Sequence, residues 1–118
     1  MSFNYIEKEN RPWGTFYVLQ DDAVYKVKRI EVNSKQRLSY QSHKKRAEVW
    51  TIVEGNAEVI LNGKGFLLKY GESIQIPLGA KHRITNSGNK KLIFIEVQTG
   101  SYFGEDDIIR YEDDYKRK

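Results

Sequence analysis

Cysteine is absent from the 118 residues, so the chain has neither a disulfide framework nor a thiolate for covalent catalysis. Proline occurs twice, at Pro12 and Pro77, and each copy stands two residues before a glycine, in the manner of a turn. No apolar run approaches the roughly 20 residues that a membrane-spanning helix requires. Met1 to Glu9 has neither the apolar stretch nor the small-residue cleavage site of a secretory signal, so a cytoplasmic protein without a membrane partner is expected. Histidine is as scarce as proline. Its two copies, His43 and His82, both fall in stretches that make sense as parts of one metal site.

A content of 39% hydrophobic and 13% aromatic residues is that of a folded chain, and 118 residues supply one core but not two. The formal net charge is +4, with the cations concentrated in Tyr25 to Arg46 and acids in Glu105 to Asp114. No nucleic-acid motif accompanies the basic stretch. A small phosphorylated substrate suits it equally well, and nucleic acid is not the expected partner.

The patterning is that of short strands. Met1 to Asn10 is polar and reads as a loosely docked N-terminal arm, followed by a single domain over Arg11 to Lys118. Arg11-Pro12-Trp13-Gly14 reads as a fixed turn with Trp13 as a packing anchor. Thr15 to Gln20 and Val24 to Val32 form a hairpin around Asp21-Asp22. In the second of these strands the apolar parity changes partway, which predicts a bulge or bend. Glu48 to Val53 and Asn56 to Leu61 flank Glu54-Gly55, and Asn62-Gly63 is a strong hairpin signal leading into Phe66 to Leu68. Ser73 to Pro77 alternates into a Pro-x-Gly turn before His82, and Leu92 to Gln98 alternates through Ile93, Ile95 and Val97. No long helix or internal repeat is evident. The expectation is an all-β, closed or nearly closed antiparallel barrel.

If Leu38 to His43 is a strand, Gln41 and His43 project to one face, and Glu48 follows shortly after. An amide oxygen, an imidazole nitrogen and a carboxylate are suitable ligands for a divalent metal, and His82 supplies a fourth if the turn at Pro77 to Gly79 carries it back over the first stretch. The competing reading is that His43 is a buried histidine bonded to a neighbour. Lys44-Lys45-Arg46 is either a solvated turn or a source of phosphate ligands, with Arg46 favoured because its planar fork matches phosphate oxygens.

These residues resemble a known pattern. Gln41, His43, Glu48 and Gly55 fit the first motif of the cupin superfamily, with Gln41 in place of its leading histidine and Lys35 in place of its leading glycine. Gly71, Pro77, Gly79, His82 and Asn86 fit the second motif. The resemblance narrows through Arg11-Pro12-Trp13-Gly14, through Gln41 to Trp50, and through Gly100 to Arg110, which are similar to the type II phosphomannose isomerases. In that family the domain occurs alone or at the C-terminal end of a bifunctional mannose-1-phosphate guanylyltransferase. The likeness runs from about Arg11 to Arg117. It implies a single-domain cupin (RmlC-like) antiparallel β-barrel or jelly roll that interconverts mannose 6-phosphate and fructose 6-phosphate with one divalent metal. Zinc is expected first, and cobalt, manganese, nickel or iron are admissible. The chain departs from the family at Lys44 and Lys45, where histidines commonly follow His43, and at Val49, where Glu-His-Trp is common. The set Gln41, His43, Glu48 and His82 nevertheless reproduces the glutamine, histidine, glutamate and histidine with which the related type I isomerases bind zinc.

The acidic tail from Glu105 reads as a solvated face or a short terminal helix. The resemblance instead returns it to the mouth of the barrel and makes Arg110 the catalytic candidate, with Lys45 or Arg46 as the substrate-phosphate ligand. It also implies a homodimer, and a possible separate guanylyltransferase as partner. A non-catalytic sugar-binding module and a cupin with another metal-dependent sugar chemistry are the alternatives.

Overall fold

The computed structural model describes residues 2–116; Met1, Arg117 and Lys118, which bound the expected arm, domain and family likeness, lie outside the described residues. Eleven strands are described: β1 (Glu7–Arg11), β2 (Gly14–Asp21), β3 (Tyr25–Val32), β4 (Tyr40–Ser42), β5 (Arg46–Glu54), β6 (Asn56–Leu61), β7 (Lys64–Lys69), β8 (Ser73–Ile76), β9 (His82–Thr85), β10 (Leu92–Gly100) and β11 (Ile109–Glu112). They form a six-stranded sheet in the order β1-β2-β3-β10-β5-β8 and a five-stranded sheet in the order β11-β4-β9-β6-β7. All described pairings are antiparallel, and none of them closes either sheet on itself. The expected barrel is therefore two sheets sharing a core, with Phe16, Ile30, Trp50 and Phe94 from the larger sheet meeting Ala57, Val59 and Ile84 from the smaller.

Local chemistry explains the turns. Asn62 and Gly63 both adopt positive φ, 50° and 81°, as a two-residue hairpin between β6 and β7 demands. Lys35, standing where the cupin motif has glycine, also has a positive φ of 65°, which gives the motif's glycine its physical reason. The arm expected to be loosely docked is instead partly ordered. Residues 7–11 pair with β2, and Phe3 and Tyr5 pack on the Tyr17 ring.

Three expectations from patterning are corrected. Lys28, Ile30 and Val32 share one buried face of β3, with Glu31 alone buried on the other, so burial does not switch faces and a lysine simply occupies an inward position. The expected irregularity is present, but as a register shift between Val18 and Gln20 of β2, opposite Lys28 and Val27. Alternation along β10 is inverted, because Leu92, Phe94, Glu96 and Gln98 are buried while Ile93, Ile95 and Val97 are half-buried. The tail, expected as a solvated face or a short helix, holds a largely exposed strand, β11, paired with β4.

Register turns these corrections into a map of the core. Phe16, Ile30, Phe94 and Ile52 lie side by side across β2, β3, β10 and β5. The neighbouring rung is Val18, Lys28, Glu96 and Trp50, and the next carries Gln98 beside Glu48. The buried face thus changes from apolar to polar along the same strands. Buried polar groups require partners, so this polar end is where a site is built.

Candidate metal centre

Glu48 reaches the polar end from β5, while the smaller sheet contributes a rung of Arg110, Gln41 and His82 from β11, β4 and β9. His43 follows β4 directly. Its carbonyl accepts from the Gly79 amide at 2.9 Å, so the Pro77–Gly79 turn joins the two histidine-bearing stretches. His43, Glu48 and His82 are all buried, and one ligand atom from each lies within 4.8 Å of the others.

The hydrogen bonds fix which histidine nitrogens face inward. His43 Nδ1 lies 2.6 Å from the Asp107 carbonyl and His82 Nδ1 lies 3.0 Å from the Ala80 carbonyl. A carbonyl can only accept, so both Nδ1 atoms carry the proton and both Nε2 atoms present lone pairs. Those Nε2 atoms stand 3.4 Å and 3.9 Å from the two oxygens of Glu48. Ligands about 2.0–2.1 Å from a tetrahedral ion are separated by roughly 3.4 Å, so the donor set fits a divalent cation. Gln41 ties its amide nitrogen to Ser39 Oγ at 2.9 Å, which leaves the carbonyl end of the amide as its available donor.

A second layer holds the carboxylate. Trp50 Nε1 donates to Glu48 Oε1 at 2.9 Å and to Glu96 Oε1 at 3.0 Å, and Gln98 Nε2 donates to Glu96 Oε2 at 2.7 Å. Arg46 Nε donates to Glu48 Oε2 at 2.8 Å, and its Nη2 lies 3.2 Å from His43 Nε2. That guanidinium takes up the lone pair an ion would use, so metal entry requires it to release His43 while keeping Glu48.

The electrostatics follow from burial. Desolvation lowers the pKa of His43 to about 4, helped by the positive charge of Arg46, and lowers that of His82 to about 4. Both imidazoles are therefore neutral near pH 7, the form that binds metal. Burial, reinforced by the nearby Glu48 charge, raises Glu96 to about 7. Burial opposes charge on Asp107 too, yet the amides of Lys44 and Lys45, at 3.0 Å and 2.9 Å, hold its carboxyl below the ordinary value.

The pocket beside the cluster is lined by Gln41, His43, Arg46, Glu48, His82 and Arg110, among others. Lys45 is not part of that lining and places its ammonium 5.3 Å over the Tyr102 ring. Arg46 faces inward, engaged with the metal-ligand candidates as described. Sequence reasoning missed Lys28, Glu96, Gln98 and Glu105. The signal for the first three was present: each has the parity of the buried apolar residues on its own strand. Glu105 lies in the connection after β10, where no periodicity marks it.

Among solved structures, an RmlC-like cupin from Shewanella frigidimarina has a TM-score of 0.72 at 21% identity, covering 85% of this chain and 86% of that one. The two-sheet architecture is accordingly cupin-like. The family model described as mannose-6-phosphate isomerase C-terminal matches residues 3–113, and the chain belongs to that family. Over 107 residues, 91% of this chain, it is 49% identical to mannose-1-phosphate guanylyltransferase ManC of Salmonella typhimurium. Over 110 residues, 93% of this chain, it is 47% identical to xanthan biosynthesis protein XanB of Xanthomonas campestris pv. campestris. The chain spans only 22% and 24% of the length of those two relatives.

Proposed function

We propose that the chain is a metal-dependent aldose–ketose isomerase that interconverts mannose 6-phosphate and fructose 6-phosphate, with Gln41, His43, Glu48 and His82 as metal ligands. The observation that carries this reading is the buried His43, Glu48 and His82 cluster with both Nε2 lone pairs turned inward. Membership of a family described as mannose-6-phosphate isomerase C-terminal supplies the substrate class. Zinc is the first metal to test. A bound divalent ion supplies Lewis-acid polarisation of substrate oxygens during transfer of a proton between C1 and C2.

The chain's own residues supply the rest. Arg110 of β11 pairs directly with Gln41 of β4, on the same rung as His82, and lines the pocket, where its guanidinium stabilises charge developing on substrate oxygen. Arg46 and Trp50 hold the Glu48 carboxylate in one orientation. A homodimer, a cytoplasmic location and work alongside a separate guanylyltransferase that feeds GDP-mannose and polysaccharide synthesis belong to the same proposal. The similarity to ManC and XanB supports the link to a guanylyltransferase.

The test is a coupled assay of mannose 6-phosphate conversion after metal removal and after adding back zinc, cobalt or manganese. Turnover that needs a metal, and that disappears in a folded His43→Ala variant, is the expected result. Full activity in that variant, or no turnover with any metal, would contradict the proposal.

A further inference from the structure

Lys28 is buried on the inward face of β3, with its ammonium 4.2 Å over the Phe16 ring and ion-paired to Glu105 Oε2. The same carboxylate oxygen lies 4.0 Å from Arg46 Nη1. That nitrogen is buried, in a side chain only 6% exposed, and makes no hydrogen bond. A donor left unpartnered at such depth is costly unless something else satisfies it. Two cations on different strands therefore converge on one oxygen position next to the metal-ligand candidates, since Arg46 also holds Glu48.

The group now at that position is the most exposed of the three. Glu105 is carried by the segment between β10 and β11, and its side chain is 42% exposed, in contrast to 3% for Lys28 and 6% for Arg46. It also stands at a boundary. With Arg11, Ile108 and Arg110 it lines both the inner pocket and an outer cleft that Asn10, Pro12 and Asp106 complete. An anion entering from outside meets Arg11 and Arg110 first, then the oxygen of Glu105 seated between two buried cations.

The geometry points to an anion site formed by Lys28 Nζ and Arg46 Nη1, occupied in the free protein by Glu105 and taken over by the phosphate group of a sugar phosphate. Guanidinium and ammonium groups suit phosphate oxygens, and displacement of Glu105 releases its charge toward solvent while leaving both cations paired. This assignment rests on the phosphorylated-sugar reading above. It differs from it in predicting that inorganic phosphate competes with one named carboxylate.

The experiment is calorimetric titration of inorganic phosphate, at constant ionic strength, into the wild-type protein and into Glu105→Gln and Lys28→Met, with folding checked by circular dichroism. Glu105→Gln removes the competitor and is expected to bind phosphate at least tenfold more tightly; Lys28→Met is expected to bind it at least tenfold more weakly. Unchanged affinity in folded variants would overturn the site. Glu105→Gln leaves the buried Lys28 ammonium without its ion-pair partner and can lose its fold, so a crystal structure of the wild-type protein with phosphate is the second measurement. Phosphate between Lys28 and Arg46 with Glu105 displaced is the expected result. Phosphate bound elsewhere, or Glu105 still paired to Lys28 at saturation, would overturn the site. Phosphate binding of the expected kind without isomerase turnover would sink the catalytic reading and keep the site; turnover with unaltered phosphate affinities would do the reverse.

Discussion

At the scale of single residues, three buried titratable groups set the pH response of the metal-free protein. His43 and His82, at about 4 in the fold, take up protons in the unfolded chain near pH 6.5. Between those values the unfolded state holds more protons, so their contribution to stability falls as the pH drops from about 6.5 to 4. Glu96 opposes them: at about 7 in the fold, against 4.5 ordinarily, it keeps a proton that the unfolded chain releases, and its contribution falls as the pH rises from 4.5 through 7. Two histidine protons against one glutamate proton leave roughly one net proton, a slope of about 1.4 kcal/mol per pH unit between pH 4.5 and 6. Stability should therefore rise with pH across that range and level off near pH 7, as measured by urea unfolding at a series of pH values. In Glu96→Gln the opposing proton is gone and the slope should roughly double. A flat profile, or an unchanged slope in the variant, would show that these groups are solvated rather than buried.

At the scale of elements, the segment between β10 and β11 does as much as any strand. Asp107 accepts the amides of Lys44 and Lys45 with its carboxylate and His43 Nδ1 with its carbonyl, so it fixes both the turn and the ring that follow β4. Asp107→Ala removes the carboxylate clamp. The carbonyl that accepts from His43 Nδ1 remains, so metal affinity is expected to fall by less than the roughly 10- to 100-fold cost of losing a ligand's direct partner, through loosening of the turn that carries the ring. Direct titration of zinc in competition with a chelator would measure this, and unaltered affinity would remove Asp107 from the site. Gly100 ends β10 at φ +144°, where an added Cβ would meet the Lys45 carbonyl oxygen at 2.2 Å. Gly100→Ala should cost on the order of 1–3 kcal/mol in denaturant unfolding by pushing the start of β5 away. Strand positions were largely legible because hairpin turns such as Asn62-Gly63 declare themselves and because Gln41, His43 and His82 stand in two spaced motifs. The faces of β3 and β10 were not. Lys28, Glu96 and Gln98 are in phase with buried apolar neighbours on their own strands, but their polarity makes each read as solvent-facing until cross-strand register sets it beside the core. Glu105 is brought to Lys28 by a contact 77 residues apart in sequence, which no local pattern encodes.

At the scale of the molecule, two sheets meet around a core that is apolar at one end and polar at the other. Each sheet brings part of the donor set: Glu48 from the larger, Gln41 and His82 from the smaller, with His43 in the connection between them. A cation bound there links the two sheets directly, so metal should stabilise the fold rather than merely occupy it. At a free metal concentration of 100 times Kd the gain is about 2.7 kcal/mol, visible as a rise in Tm on adding metal and a fall with chelator. Identical melting curves in both conditions would argue against a site spanning the sheets. Whether His43, Glu48 and His82 hold one divalent ion is decided by elemental analysis of metal-reconstituted, gel-filtered protein, with the wild type and Glu48→Gln compared side by side. The predicted result is close to one zinc per chain in the wild type and little in the variant. No retained metal in the folded wild type, or equal retention in Glu48→Gln, would contradict it.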